Sequence, residues 1–260
     1  MQSEYNMKRL WTKEETIIAF NLYCKIPFAK SSKSHPMVRE YAKIIERTPD
    51  ALNMKIGNIG RLDPSLKQNG IKGLSHGAKL EKEVWDDFYS DPEKLTLEGE
   101  TLLEKFSKNK VRENLIYGEK TKEEETEHLT IVKQRKGQVF FRKMVLSAYD
   151  YRCCISGIRS IDLLEACHII SWSESPNLRS NPSNGLCLNS LFHQAYDTYL
   201  ISITPEMEIV ISEKLIQESP DGKLREYLRE LNKKKILLPN KFYPSKEFLA
   251  IHHEQYLKAI

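Results

Sequence analysis

The sequence of 260 residues has no Cys-x-x-Cys pair and only five cysteines, at 24, 153, 154, 167 and 187. An odd number without paired spacing excludes a disulfide framework and points to reduced thiols. It also removes the paired thiolates from which a structural zinc site is built, so no structural zinc is expected. No apolar run approaches the roughly 20 residues needed to cross a bilayer. The opening MQSEYNMKRLWTKEE lacks the apolar core of a signal peptide. A cytoplasmic protein with no membrane partner is therefore expected. A strong net charge is missing too: 29% of residues are charged, yet the balance is only +4. A nucleic-acid partner is permitted by that balance but not demanded, and any basic footprint must come from clustering.

What is present suggests two domains, since 260 residues with an apolar share of 40% can fill one good core and a smaller one. Thr12 followed by Glu15 forms a capping box ahead of Ile17, Ile18, Phe20 and Leu22, which predicts a helix to about Cys24. A second helical pattern runs from Pro36 to about Arg47. Thr48-Pro49 starts a third carrying Leu52, Met54, Ile56 and Ile59. A trihelical, helix-turn-helix-like unit presents its third helix to a DNA major groove, with Asn53, Lys55 and Asn58 as its exposed polar positions; a plain helical scaffold is the alternative. Leu80 to Tyr89 reads as a closing helix. The expected divisions are a helical, DNA-recognising domain over 1–95, a charged linker over 96–134, where Glu119 to Glu127 is strongly charged and free of aromatics, and a second domain over 135–260.

The second domain begins with an amphipathic helix marked by Phe140, Phe141, Met144, Val145 and Ala148. CCISG at 153–157 reads as a short strand entering a turn, with Leu163 to Ile170 as its partner. His168 lies on that apolar strand. Asn184 follows in a loop, and His193 comes after eight intervening residues, with Asp197 four further on. Asn189 caps the helix that carries the last two. At that spacing His193 and Asp197 lie one turn apart on one face, which lets an imidazole and a carboxylate share a divalent cation. Beyond them, TYLISIT and EIVIS predict a hairpin that braces this helix, followed by a helix from about Lys223 to Leu231 and a last one from Ser245. His252 and His253 lie in the last helix as candidates of small weight.

A strand histidine, a loop asparagine and a helix histidine in that order, with Asn-x8-His, resemble the HNH endonuclease family and its ββα-metal fold. Arg135-Lys-Gly137-Gln138, Phe141-Arg142, Leu146, Tyr149, Cys154 and Gly157 look like the lead-in of HNH domains from restriction-type proteins. WTKEE, RTPDALNMKI and GIKGLS likewise resemble the leading domain of restriction endonucleases. The resemblance implies an α+β chain: a helical N-terminal domain, then a ββα-metal nuclease domain with flanking helices and a hairpin. It implies catalysis by His168 as general base, Asn184 as the residue that orients it, and His193 as metal ligand, with Asp197 where some members place another ligand. Cys167 departs from the pattern, because many members carry Asp or His there, and a thiol suits magnesium poorly. Either Glu165 or water completes the coordination, or the cation is softer.

The implied cofactor is one divalent cation, magnesium or manganese, with nickel or cobalt as alternatives, and the implied partner is DNA held through phosphates along the minor groove. Arg135, Arg142, Arg179 and Lys55 are the candidate contacts, although solvated charge accounts equally for such residues. A bacterial or archaeal defence nuclease, with targets selected by the N-terminal domain and with dimerisation open, explains most features. A non-catalytic DNA-binding or regulatory protein on a ββα scaffold, and a nuclease for RNA or for modified DNA only, are the competing readings.

Overall fold

The computed structural model describes residues 9–71, 77–109 and 137–260. It is an α+β structure built mostly of helices, with two small antiparallel sheets. Helix α1 (Lys13–Lys25) starts at the Thr12–Glu15 capping box, with both reciprocal bonds formed. Every residue from Glu15 to Lys25 is buried, so α1 is a central helix rather than a one-sided one. The charged groups drawn inside are paired, as burial requires. Glu15 accepts from Arg47 at 2.7 Å, and Lys25 donates to the Tyr41 hydroxyl at 2.8 Å and pairs with Glu100.

Around α1 lie α2 (Pro36–Ile44), α3 (Pro49–Gly60), α4 (Pro64–Gln68), α5 (Lys79–Phe88) and α6 (Pro92–Asn109). The cap anticipated at Thr48 forms, and Asp63 provides another: their side chains accept from the amides of Ala51 and Ser65, each with a proline in the first turn. Helices stand where the first three were expected, but α5 and α6 also pack on α1, so these three alone do not make up the unit.

Two expectations need correcting here. Lys55 is not presented on the surface of α3: it is 5% exposed, paired with Glu81 at 2.5 Å, and sits 4.7 Å from the Trp11 ring centroid. A buried ammonium held by a buried carboxylate cannot reach a phosphate without breaking that pair. The linker expected from 96 onward is helical as far as Asn109, because Leu95, Gly99 and Leu102 recur at helical spacing beneath the surface charge. Gly99 lets α6 approach α1 closely, since a Cβ there would lie 2.6 Å from the Asn21 side chain. The rest of that expected linker, and Arg135, fall outside the described residues.

Helix α7 spans 137–148 and carries the anticipated apolar stripe, with Phe140, Phe141, Met144, Val145 and Ala148 all buried. The segment 153–157 is a turn, not a strand: Gly157 N–H donates to the Cys153 carbonyl at 2.9 Å and Cys153 N–H to Ile158 at 2.9 Å. Gly157 sits at φ 76°, which its missing side chain permits. Strand β1 (Leu164–His168) instead pairs antiparallel with β2 (Gly185–Asn189), from Leu164 opposite Asn189 to His168 opposite Gly185. The true partner lies across a loop, where no short-turn signal marks it.

Helix α8 (Ser190–Asp197) follows β2 directly, capped by the Asn189 side chain accepting from Phe192 N–H at 2.9 Å. The second hairpin, β3 (Ile201–Ile203) with β4 (Ile209–Ile211), packs against α8 and against α11 (Lys246–Ala259); α9 (Glu213–Glu218) and α10 (Lys223–Leu231) complete the chain. One continuous apolar cluster runs through both halves. Buried Lys241 ties them polarly as well, donating to the carbonyls of Tyr23, Cys24 and Ile26 at the end of α1.

Candidate active site

Strand alternation puts Glu165 and Cys167 on the face of β1 that meets α8, and His168 on the other. His168 stacks on Phe141 of α7, with centroids 3.9 Å apart and planes within 8°. Gly185, its partner across the ladder, makes this possible: a Cβ there would fall 2.4 Å from Val145 and 3.0 Å from Phe141. His168 Nε2 lies 3.0 Å from the Arg179 carbonyl, which can only accept. Nε2 therefore carries the proton in the neutral ring, and Nδ1 keeps its lone pair. Burial pushes the His168 pKa below its ordinary value, so the imidazole is neutral at neutral pH.

Asn184 is 1% exposed and closes the loop 169–184 as a side-chain substitute for a strand partner. Its Oδ1 accepts from Ile170 N–H at 2.8 Å, and its Nδ2 donates to the Ile170 carbonyl at 3.0 Å and toward Leu178 at 3.4 Å. Its own carbonyl accepts from Ile169 N–H at 2.9 Å. These bonds fix the backbone next to His168 and the loop that supplies the Arg179 carbonyl.

On α8, His193 stands between two carboxylates. Its Nδ1 is hydrogen-bonded to Glu165 Oε2, and its Nε2 lies 3.3 Å from Asp197 Oδ2, one helical turn away. Hydrogen bonding from Ser190, with His193 adding to it, holds the Glu165 carboxyl below the usual carboxylate range, so Glu165 is an ionised acceptor. It thereby accepts from Nδ1–H, so that Nε2 is the nitrogen facing Asp197 and the one a cation would take. Two donors on one cation at about 2.1 Å each stand roughly 3.0 Å apart when at right angles. The His193–Asp197 pair fits a single ion on that measure.

Cys167, His193 and Asp197 offer ligand atoms within 4.8 Å of one another. Cys167 is nonetheless fully buried, and burial first, then the Asp197 charge, pushes its thiol well above the usual range. Its Sγ lies 3.7 Å from Asp197 Oδ1, the geometry of a thiol donor steadying a carboxylate. Glu165, a candidate for completing the coordination, is engaged on the far nitrogen of His193.

His168, Trp172 and His193 line two adjoining cavities. One, of about 330 Å³, is completed by Ile169, Ser171, Glu174, Asp197, Tyr199 and His252. The other, of about 410 Å³, includes Gln138, Arg142 and Glu165. Arg142 thus borders the site, with one Nη2–H on the Leu164 carbonyl at 2.7 Å. Arg179 is turned to the loop: its Nε–H donates to the Trp172 carbonyl at 3.0 Å and its guanidinium covers the Trp172 ring at 4.7 Å. Trp172 and Tyr199 were not singled out from sequence, and their only signal was aromatic residues flanking a loop and a helix end.

Residues 153–204 match the family model of the HNH endonucleases, HNH_2, a stretch that takes in the turn, both strands, α8 and β3. No curated protein matches the chain.

Proposed function

Residues 153–204 form a domain of the HNH endonuclease family, and from that premise we propose that the chain is a divalent-cation-dependent endonuclease hydrolysing DNA phosphodiester bonds. The observation that carries the proposal is the cluster of a neutral histidine, His168, and a cation-ready pair, His193 with Asp197, on one cavity wall. In this reading β1, β2 and α8 act as the ββα-metal unit, supported by their antiparallel pairing and the helix that follows β2 directly, and the helices before them select the target.

His168 Nδ1 takes a proton from the attacking water, while Nε2–H stays on the Arg179 carbonyl and fixes the ring. Phe141 holds the imidazole plane and excludes water from one face. Asn184 acts through the loop backbone and does not touch the reacting atoms. His193 Nε2 and Asp197 would hold the cation, Glu165 orients His193, and Cys167 steadies Asp197. A divalent ion held there would polarise the scissile phosphate and stabilise charge on the departing 3′ oxygen. Hard oxygen donors and water beside one imidazole suit magnesium or manganese, and the neutral thiol removes the reason to prefer a softer ion.

Arg142 is the residue best placed for a phosphate, being at the rim of the second cavity. A defence role, with restriction of foreign DNA, accords with the family and with the helical N-terminal part. Nicking of supercoiled plasmid tests the activity: cutting with manganese or magnesium, none with chelator, and none by His193→Ala is expected. Equal cutting with chelator present would refute the cation dependence.

A further inference from the structure

The cavity of about 330 Å³ is larger than a cation and one phosphate oxygen require, and its far side is aromatic. We propose that it receives a nucleobase turned out of the nucleic-acid stack beside the scissile phosphate, an inference that rests on the nuclease reading and adds the substrate's conformation to it. One wall is His168, His193 and Asp197, so whatever fills the remainder lies within about a nucleotide of the reacting phosphate. The other walls are Trp172, Tyr199 and His252, with Ser171 and Glu174 at the rim.

His252 presents a ring face rather than a charge. Its Nε2 lies 3.2 Å from the Tyr196 carbonyl and so carries the proton; its Nδ1 then accepts from the Ser202 hydroxyl at 3.1 Å, which in turn accepts from His253 Nδ1 at 3.2 Å. The ring stacks on Tyr196 at 3.6 Å and meets Tyr199 at 5.2 Å. Both nitrogens are spent, which leaves stacking as what this ring offers a ligand. Trp172 is fixed by the Arg179 guanidinium over its ring.

Tyr199 is placed by its backbone. It holds φ 55°, the left-handed conformation in which a glycine ends a helix at no steric cost. The end of α8 sets this backbone, Leu200 N–H donating to the Ala195 carbonyl at 2.9 Å, and the residue placed there puts its ring in the cavity wall. The polar rim selects the chemistry. Away from the metal wall, the Glu174 carboxylate at the rim disfavours an anionic group and can accept from an exocyclic amino group. Glu174 already holds Ser171 through Oε2, at 2.8 Å from its hydroxyl. An amino-bearing base, with cytosine as the model, therefore fits better than thymine. Extrusion costs least where a nucleotide is already unpaired, so such substrates are cut fastest.

The test uses the full chain and a single-stranded oligonucleotide carrying 2-aminopurine at several positions, with chelator present, so that binding is read without cleavage. Wild type is expected to quench the probe, with Tyr199→Phe alike. Tyr199→Gly removes the ring while relieving the backbone, so folding is spared, and apparent affinity falls about tenfold, the loss of one base–aromatic stack. In parallel, with manganese, a duplex with one unpaired cytosine at the mapped cut should be cleaved at least tenfold faster than the paired duplex. Glu174→Ala should narrow the preference for unpaired cytosine over thymine. Tyr199→Gly binding the probe as wild type does, or no quenching by either, overturns the pocket. Tyr199-dependent quenching without cleavage under any cation contradicts the nuclease reading and leaves the pocket standing.

Discussion

His252 makes a stability prediction that can be worked through from its surroundings. The ring is 6% exposed, both nitrogens are bonded internally, and burial, as the largest cause, lowers its pKa from 6.5 to about 4. Between those values the unfolded chain holds a proton on His252 that the folded chain lacks. Acid therefore draws the equilibrium toward the unfolded state: the contribution is intact above about pH 6.5 and is lost as pH falls toward 4. A difference of about 2.5 units at about 1.4 kcal/mol each sets a limit near 3 kcal/mol, of which about 2.5 kcal/mol is gone at pH 4.5. The comparison is urea unfolding of wild type and His252→Phe at pH 7.5 and 4.5. Phenylalanine keeps the stack on Tyr196 but leaves the Tyr196 carbonyl and Ser202 hydroxyl without their histidine partner, at a cost of about 1–3 kcal/mol that does not vary with pH. Wild type should lose about 2–3 kcal/mol more than the variant between the two pH values, because His35 and His168, whose pKa values are also lowered by burial, titrate alike in both proteins. Parallel pH slopes would show that His252 is protonated in the folded protein and would undo its role as a neutral wall.

The site makes two further predictions. Glu165→Gln keeps a hydrogen-bond acceptor beside His193 Nδ1 but removes its charge, so manganese affinity by calorimetry should weaken about tenfold or more; unchanged affinity would place Glu165 outside the metal site. Gly185→Ala forces a Cβ against Val145 and Phe141, which should cost about 1–3 kcal/mol in urea unfolding and displace the His168 ring. Cleavage should then fall at constant cation affinity, and wild-type cleavage would mean that the Phe141 stack does not position the base.

The sequence made legible those features that act locally. Capping residues are read by their own next turn, so Thr12, Thr48, Asn189 and Ser245 marked helix starts that the structure places at the same residues. The order of His168, Asn184 and His193 was equally legible, since one strand, one loop and one helix deliver them. Pairing across distance was hidden. The partner of β1 lies beyond the loop 169–184, and only the ladder from Leu164–Asn189 to His168–Gly185 reveals it. Helix α6 was concealed because its exposed charges resemble a linker while Leu95 and Gly99 do the packing. Lys55 misled for the opposite reason: a lysine on a polar-looking position turned out to face a buried glutamate contributed by α5. Within the site, Glu165 gained its place through α8, and Tyr199 through a backbone angle, neither of which residue type announces.

The account stands most directly on His168. Single-turnover cleavage of plasmid at saturating manganese, with cation binding measured in parallel, should show His168→Ala slowed by about 10²- to 10⁴-fold, the usual worth of a positioned base, while its cation affinity stays that of wild type. Cleavage by His168→Ala within a few-fold of wild type would contradict the assignment and send the search for the base elsewhere in the cavity.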